Sequence, residues 1–179
     1  MKRINCFFAV SAILVMGFAA CNKDNEGNDT PQPTPEDTMP AYAFVYQGRT
    51  LAAGDTIFYY PTAEEAADSI DQAAVFFYIK NLTDAAQQTR MNVTMQEGTL
   101  AMGTYIEVCF GSSCTGGPNP WTSDPFNVAP GLNSDLPITF DYHPSLVTER
   151  TTFKVTVGQG TNLARSQSMY INVAAAPLK

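Results

Sequence analysis

The sequence has few of the residues from which catalytic and metal-binding sites are built. Its 179 residues include one histidine, His143, and four cysteines. A zinc site needs several histidine or cysteine ligands and a serine triad needs a histidine base, so this composition argues against both. No serine stands in a Gly-x-Ser-x-Gly turn, and no Lys-Ser or Lys-Thr follows Gly116-Gly117 as in a phosphate loop. We therefore expect no enzymatic activity, no metal and no cofactor.

Basic residues and long apolar runs are also scarce. Ten lysines and arginines stand against 17 aspartates and glutamates, which leaves a formal net charge of −7. The phosphates of nucleic acids and the headgroups of anionic lipids both require clustered Lys and Arg partners. No apolar run reaches the roughly 20 residues of a membrane-spanning helix. The composition thus argues against a nucleic-acid partner. It also argues against attachment to a membrane through a polybasic segment or a spanning helix.

The N-terminus has the layout of a secretory signal. Lys2-Arg3 precedes an apolar stretch that continues to two small residues before Cys21. The segment Phe18-Ala19-Ala20-Cys21 resembles the lipobox of bacterial lipoproteins, although that family usually has leucine at the position of Phe18. We predict residues 1–20 to be a lipoprotein signal peptide and Cys21 to carry lipid, since several acyl chains together anchor a protein stably. The alternative is an ordinary signal peptidase site.

Residues 21–40 have the composition of a disordered tether. They contain four prolines, five acidic residues and almost nothing apolar, so they cannot bury enough surface to offset the entropy of ordering. An extended Pro-rich tether of this length spans up to roughly 50–60 Å. Its first residues, Lys23-Asp24-Asn25-Glu26, resemble the surface-export signals of Bacteroidota lipoproteins. We expect a lipid-anchored protein of the outer membrane that faces the cell exterior, with the periplasmic face as the alternative.

The remaining residues, 41–179, alternate apolar and polar side chains over short runs separated by Gly, Pro, Asn and Asp. This period of two is typical of strands with one buried and one solvated face. Val75–Ile79 is apolar on both faces and is predicted to be a central strand. Eight or nine such strands at regular spacing predict an all-β antiparallel sandwich. A capping-box pattern at Thr62 and Glu65 predicts one or two helical turns at most.

Cys109 and Cys114 are the two cysteines of the mature domain. They lie in Cys109-Phe-Gly-Ser-Ser-Cys114, at the end of a predicted strand and across a turn. An exported protein matures in an oxidising compartment, so we predict a disulfide between them. The alternative is half of a zinc site, which would need further ligands.

The segment from Val75 onward resembles a β-sandwich module of secreted and surface proteins of Bacteroidota. The resemblance covers about 100 residues and rests on Lys80-Asn81-Leu82-Thr83-Asp84, on the cysteine turn, and on the later runs Phe126-Asn127-Val128, Phe140-Asp141-Tyr142 and 152–157. Its most specific piece is the Cys-Phe-Gly-x-x-Cys turn at 109–114. The resemblance implies an immunoglobulin-like fold and no shared enzymatic activity.

Trp121 is the candidate centre of a binding patch. It follows Gly116-Gly117-Pro118-Asn119-Pro120, in a predicted loop, where an exposed aromatic ring would offer a large contact area to a sugar or peptide. Tyr59, Tyr60 and Tyr105 would extend such a patch if they face outward. The alternative is that Trp121 folds over the cysteine turn and covers the core.

Two further features bear on modification and function. Thr38, Thr56 and Ser69 lie in Asp-Ser/Thr-apolar triplets that resemble O-glycosylation sites of Bacteroidota. The whole sequence favours a non-catalytic surface lipoprotein that acts as a binding or accessory module for a glycan, peptide or protein partner. The alternative function is a structural subunit of a surface complex or fibre that pairs through an edge strand, for which Tyr42–Tyr46 is the candidate edge.

Overall fold

The computed structural model describes residues 39–62, 73–98, 100–117, 119–145 and 149–175. These residues form 13 strands and no helix, and none of them belongs to a helix that could span a membrane. The predicted signal peptide, Cys21, the tether as far as residue 38 (including Thr38), Ser69 and the helical turn after Thr62 lie outside the described residues. The strands are β1 (Tyr42–Tyr46), β2 (Arg49–Thr50), β3 (Thr56–Tyr59), β4 (Ala73–Asn81), β5 (Gln87–Gly98), β6 (Tyr105–Phe110), β7 (Ser113–Gly117), β8 (Trp121–Thr122), β9 (Phe126–Val128), β10 (Gly131–Leu132), β11 (Ile138–His143), β12 (Arg150–Gln159) and β13 (Ala164–Ala174).

The strands form two sheets. The first sheet has the order β2-β1-β4-β11-β6-β7, and β10 also pairs with β4. The second sheet has the order β3-β13-β12-β5-β8, and β9 also pairs with β5. Neighbouring strands are antiparallel except for β3, which runs parallel to β13 from Thr56 opposite Tyr170 to Tyr59 opposite Val173. The parallel pair differs from the predicted all-antiparallel arrangement.

The alternation of side chains explains how the two sheets pack. Phe140 and Tyr142 of β11 in the first sheet are fully buried, and both meet Phe153 of β12 in the second sheet. Their ring centroids lie 5.2 Å and 5.8 Å from that of Phe153. Burying an aromatic side chain of this size stabilises a fold by about 1.5–3 kcal/mol. The core is therefore the layer between the sheets, and the polar residues that alternate with it form the two outer faces.

The predicted sandwich is confirmed, and the eight or nine strands expected from the sequence all have counterparts among the observed strands. The strand count is larger than predicted because β2, β7, β8 and β10 are short and carry no alternation that the sequence could show. The prediction of a central strand at Val75–Ile79 is confirmed, since β4 pairs with both β1 and β11. The prediction of a free edge at Tyr42–Tyr46 is wrong, because β1 lies between β2 and β4 and its first four residues are buried.

Candidate functional site

The outer face of the second sheet carries a row of four side chains from four strands. Glu97 of β5 is opposite Thr152 of β12, Thr152 is opposite Asn172 of β13, and Asn172 is opposite Phe58 of β3. Thr56 and Tyr170 are opposite one another in the neighbouring row. The row therefore places an acid, a hydroxyl, an amide and an aromatic ring side by side on the outside of the sandwich.

A β-bulge adds one more side chain to this face. Glu97 is opposite Thr152 whereas Met95 is opposite Phe153, so Gln96 is the extra residue of β5. A bulge redirects a side chain and bends the strand locally. Gln96 and Glu97, although consecutive in sequence, consequently both line the same depression.

Gly98 ends β5 next to this bulge and has a φ of +101°. A Cβ atom at this position would collide with the backbone oxygen of Arg150. A residue with a side chain would thus meet both an unfavourable backbone conformation and a clash. Glycine is what allows β5 to approach the start of β12 here.

The side chains beside the row are held by a hydrogen-bond network. The Tyr60 hydroxyl donates to Oδ1 of Asn172 at 2.7 Å and accepts from a terminal guanidinium nitrogen of Arg150 at 2.7 Å. Asn172 in turn donates from Nδ2 to the Thr152 hydroxyl. The Arg150 guanidinium carbon also lies 5.1 Å from the centroid of the Tyr60 ring, within the distance of a cation–π contact. The network orients Asn172 and Arg150 before any ligand arrives.

We call the depression formed by these residues the outer hollow. Its larger part encloses about 460 Å³ and its smaller part about 150 Å³. Pockets of about 300–1,000 Å³ are typical of small-molecule sites. The larger part is lined by Thr56, Phe58, Gln96, Glu97, Thr152, Tyr170 and Asn172, and the smaller part by Glu97, Gly98, Arg150, Thr151, Thr152 and Asn172.

The ring of Phe58 is 62% exposed although it lies in the middle of this polar face. Its centroid is 6.2 Å from that of Tyr60. The exposed ring leaves an apolar surface in direct reach of solvent beside the ordered polar network, so a ligand could bury it. This juxtaposition makes the outer hollow the candidate binding site.

Cys109 and Cys114 form the predicted disulfide, with an S–S distance of 2.07 Å. They are opposite one another in the β6–β7 hairpin. Both sulfurs and a Glu107 carboxylate oxygen lie within 4.8 Å of one another, but sulfurs joined in a disulfide supply no thiolate to a metal. The Asp141 carboxylate oxygen 3.7 Å from Sγ of Cys109 is a contact and not a hydrogen bond, because this sulfur carries no proton. The disulfide therefore links the two strands of the β6–β7 hairpin.

Trp121 does not belong to an exposed patch. Its side chain is 7% exposed and packs in the core. Trp121 is opposite Val93 in the β5–β8 pair, and a Cβ atom on Gly117 would lie 3.4 Å from its Cδ1 atom. Of the two interpretations of Trp121, the exposed binding patch is wrong and the interpretation that Trp121 covers the core is confirmed.

The three tyrosines predicted to extend the patch lie in different environments. Tyr59 packs partly against the core, whereas Tyr60 belongs to the network of the outer hollow. Tyr105 is in the first sheet, 46% exposed, and stacks on His143 with ring centroids 4.3 Å apart. They do not form one patch with Trp121, because Tyr105 and Tyr60 are on different sheets. Of the predicted set, Tyr60 alone contributes to the outer hollow.

Thr56, a predicted O-glycosylation residue, is half-buried in β3 and lines the outer hollow. A glycan attached there would occupy the space that a ligand would use. Modification of Thr56 remains a prediction, which the intact mass of the native protein would test.

Four residues of the outer hollow are absent from the site predicted by sequence. They are Phe58, Glu97, Arg150 and Asn172. Phe58 lies in a run of four aromatic and aliphatic residues, 57–60, whose outward member could not be identified without the pairing of β3. The other three are single polar residues in alternating strands, where they look like any solvated face. A signal was present only in the consecutive Gln96-Glu97, which interrupts the alternation of β5.

Comparison with known proteins gives a fold and no function. No protein-family model and no curated protein matches the chain. The N-terminal domain of PorA is 14% identical with a TM-score of 0.54, and the match covers 74% of this chain and 96% of that domain. PapD-like domain 7 of human CEP192 is 9% identical with a TM-score of 0.41, covering 83% and 93% of the two chains. The predicted immunoglobulin-like β-sandwich is confirmed.

Proposed function

We propose that this protein is a non-catalytic surface lipoprotein that acts as a binding or accessory module and holds its ligand in the outer hollow. The observation that supports this most directly is the Thr152–Asn172–Tyr60–Arg150 network beside the exposed Phe58 ring. The proposed ligand is a glycan, a peptide or a partner protein. The resemblance of the disulfide turn to that of Bacteroidota surface modules supports a place at the cell surface.

Preorganisation is what makes the network relevant to binding. Ordering a flexible side chain at an interface costs about 0.5–1.5 kcal/mol. Asn172 and Arg150 are already fixed by Tyr60, so a ligand that contacts them does not meet that cost again. A solvated face without such bonds would offer the same atoms but in many conformations.

The hollow can be tested while its ligand is still unidentified. A photoreactive amino acid replaces Gln96, which is exposed at the hollow, and in a control it replaces Lys80, which is exposed on β4 of the other sheet. After irradiation of intact cells, we expect an adduct from position 96 and none from position 80. Equal adducts, or none from either position, would contradict the proposed site.

The anchor forms the second half of the proposal. The Cys21 thiol carries the lipid, and the tether holds the sandwich outside the outer membrane. A Cys21→Ser variant should lose metabolic lipid labelling, and persistent labelling would refute the anchor. Protease treatment of intact cells should remove the sandwich, whereas full protection would place it on the periplasmic face.

A role as an assembly subunit is the second candidate function, and β7 favours it. In the described part of the chain, β7 pairs with β6 alone and four of its five residues are exposed. Such a strand offers backbone groups to a partner strand. Co-purification of a stoichiometric protein partner from native membranes, with no photo-adduct from position 96, would support assembly over ligand binding.

A further inference from the structure

We infer that the ligand of the outer hollow is a neutral saccharide, which stacks one sugar ring on Phe58 and places hydroxyl groups of the chain between Glu97 and Arg150. The inference rests on the proposed function and names the chemical class of ligand for the same site. It is carried by two features of the hollow, its unpaired charges and its single exposed aromatic ring.

The two opposite charges of the smaller part of the hollow do not meet. Glu97 and Arg150 both line this space of about 150 Å³, yet no ion pair joins them in the part of the chain that the structure describes. The Glu97 carboxylate accepts no hydrogen bond there, and Arg150 has used only some of its five N–H donors on Tyr60 and Asn172. A carboxylate acceptor and guanidinium donors that are not used up by protein partners thus line the same small space.

This arrangement favours a neutral ligand that both donates and accepts hydrogen bonds. An anionic ligand would be attracted by Arg150 but repelled by Glu97, and a cationic ligand would meet the reverse. A hydroxyl group donates one hydrogen bond and accepts others, so neighbouring hydroxyls of a sugar can donate to Glu97 and accept from Arg150. Hydrogen bonds to charged groups are the stronger ones, which favours a polyhydroxylated ligand at this point.

The Phe58 ring provides the apolar surface that a sugar ring needs. The face of an aromatic ring carries partial negative charge, and the C–H bonds on one face of a pyranose carry partial positive charge. The hydroxyls at the ring edge would then reach Asn172 and Thr152, which follow Phe58 in the same row across the sheet. An exposed ring bordered by polar side chains and by the half-buried Tyr170 suits a flat molecule with a polar edge better than it suits an apolar peptide side chain.

The shape of the hollow suits a chain of sugars. Its two parts share Glu97, Thr152 and Asn172, so they lie next to one another on the same face. The larger part contains Phe58 and the smaller part contains Arg150. Successive sugar units would therefore lie over the aromatic ring and over the open pair of charges.

Calorimetric titration of the full-length lipidated protein in detergent tests the class of ligand. The probes are neutral hexasaccharides of glucose, mannose, xylose and N-acetylglucosamine, the anionic hexamer of galacturonic acid, and the cationic hexamer of glucosamine. We expect at least one neutral probe to bind with a Kd of about 1 mM or tighter, and about tenfold more tightly than either charged probe. Tighter binding of a charged probe would overturn the inference.

Three variants locate the binding. Phe58→Ala should weaken binding of the neutral probe about tenfold, because it removes the aromatic face on which the sugar ring lies, whereas Phe58→Tyr should retain binding. Phe76→Ala is the matched control, because Phe76 is 61% exposed on the outer face of the other sheet, and it should change nothing. Glu97→Gln should narrow the difference between the neutral and anionic probes by removing the repulsion.

The outcomes separate the two levels of the proposal. If position 96 gives an adduct on cells but none of the saccharides binds, the hollow is a binding site and the saccharide inference is wrong. If position 96 gives no adduct and no probe binds, both are wrong. Neutral binding that survives Phe58→Ala, or that Phe76→Ala weakens equally, would also overturn the placement of the sugar on Phe58.

Discussion

The Glu149 carboxylate allows a quantitative test of the fold, and Glu149→Gln is the change to make. Its side chain is 6% exposed. Oε2 accepts hydrogen bonds from the Tyr142 hydroxyl at 2.7 Å and from the Thr104 hydroxyl at 2.8 Å. Oε1 accepts from the Ala101 amide at 3.2 Å and from the Ser145 hydroxyl at 3.3 Å. The carboxylate thus connects two loops to β11 and to the start of β12.

Glutamine has the same size, but its amide nitrogen cannot accept a hydrogen bond. If the amide nitrogen takes the place of Oε2, the Tyr142 and Thr104 hydroxyls face an NH₂ group that cannot accept from them. The hydrogen bonds that remain are then made to a neutral group. A hydrogen bond to a charged group contributes about 1.5–3 kcal/mol. We expect Glu149→Gln to lower the free energy of unfolding by about 2–4 kcal/mol at neutral pH, after partial rotation of the hydroxyl donors.

The loss should depend on pH in a definite direction. Burial raises the pKa of Glu149, but the hydrogen bonds from Tyr142, Thr104, Ala101 and Ser145 outweigh it and bring the pKa below its ordinary value of 4.5. A folded-state pKa that is lowered adds stability above the unfolded-state pKa and loses it as the pH falls through the folded value. The difference between the wild type and Glu149→Gln should therefore be full at neutral pH and shrink below pH 4.5.

Urea unfolding of both proteins at neutral pH and at a pH below that range, followed by tryptophan fluorescence, measures the effect. Glu107→Gln is the matched control, because Glu107 is a half-buried glutamate on β6 that accepts no hydrogen bond among the described residues. A loss for Glu149→Gln no larger than that of the control would refute the argument. So would a loss of the same size at both pH values.

Three further changes test the core and the hairpin. Replacing both Cys109 and Cys114 with alanine should lower the free energy of unfolding by roughly 2 kcal/mol, as expected for opening a short loop, and an unchanged urea midpoint would contradict this. Asn81→Ala should cost about 2–3 kcal/mol in the same assay, since Asn81 is 2% exposed and bonds Thr83, Ala85 and Val128. The fluorescence of Trp121 should resist acrylamide, and efficient quenching in the native protein would contradict its burial.

The long strands were predictable because their alternation has one physical cause. In β12 and β13, residues with a period of two are buried between the sheets and the residues between them are half-buried on the outside. A strand that buries one face can be placed in only one register without exposing its whole apolar set. The same reasoning placed β5, β6 and β11.

Elements that depend on partners distant in sequence were not predictable in this way. β8 and β10 have two residues each and exist because β5 and β4 offer them backbone groups. Phe76 shows why composition alone is not enough. β4 has apolar residues on both faces, which predicts that both faces are buried, yet the Phe76 side chain is 61% exposed. Trp121 shows the opposite error, since the Gly- and Pro-rich segment before it indicates a loop while its ring packs in the core.

The outer hollow could not be predicted for a related reason. A solvated face and a binding face have the same alternating pattern, and they differ in which polar groups bond to one another and which are left open. Asn172 and Tyr60 are bonded only because β3 lies beside β13, whereas Glu97 and Arg150 stay apart across the bulge of β5. An acid and a base that do not pair with one another, beside an exposed aromatic ring, are the features on which we base the proposed ligand site.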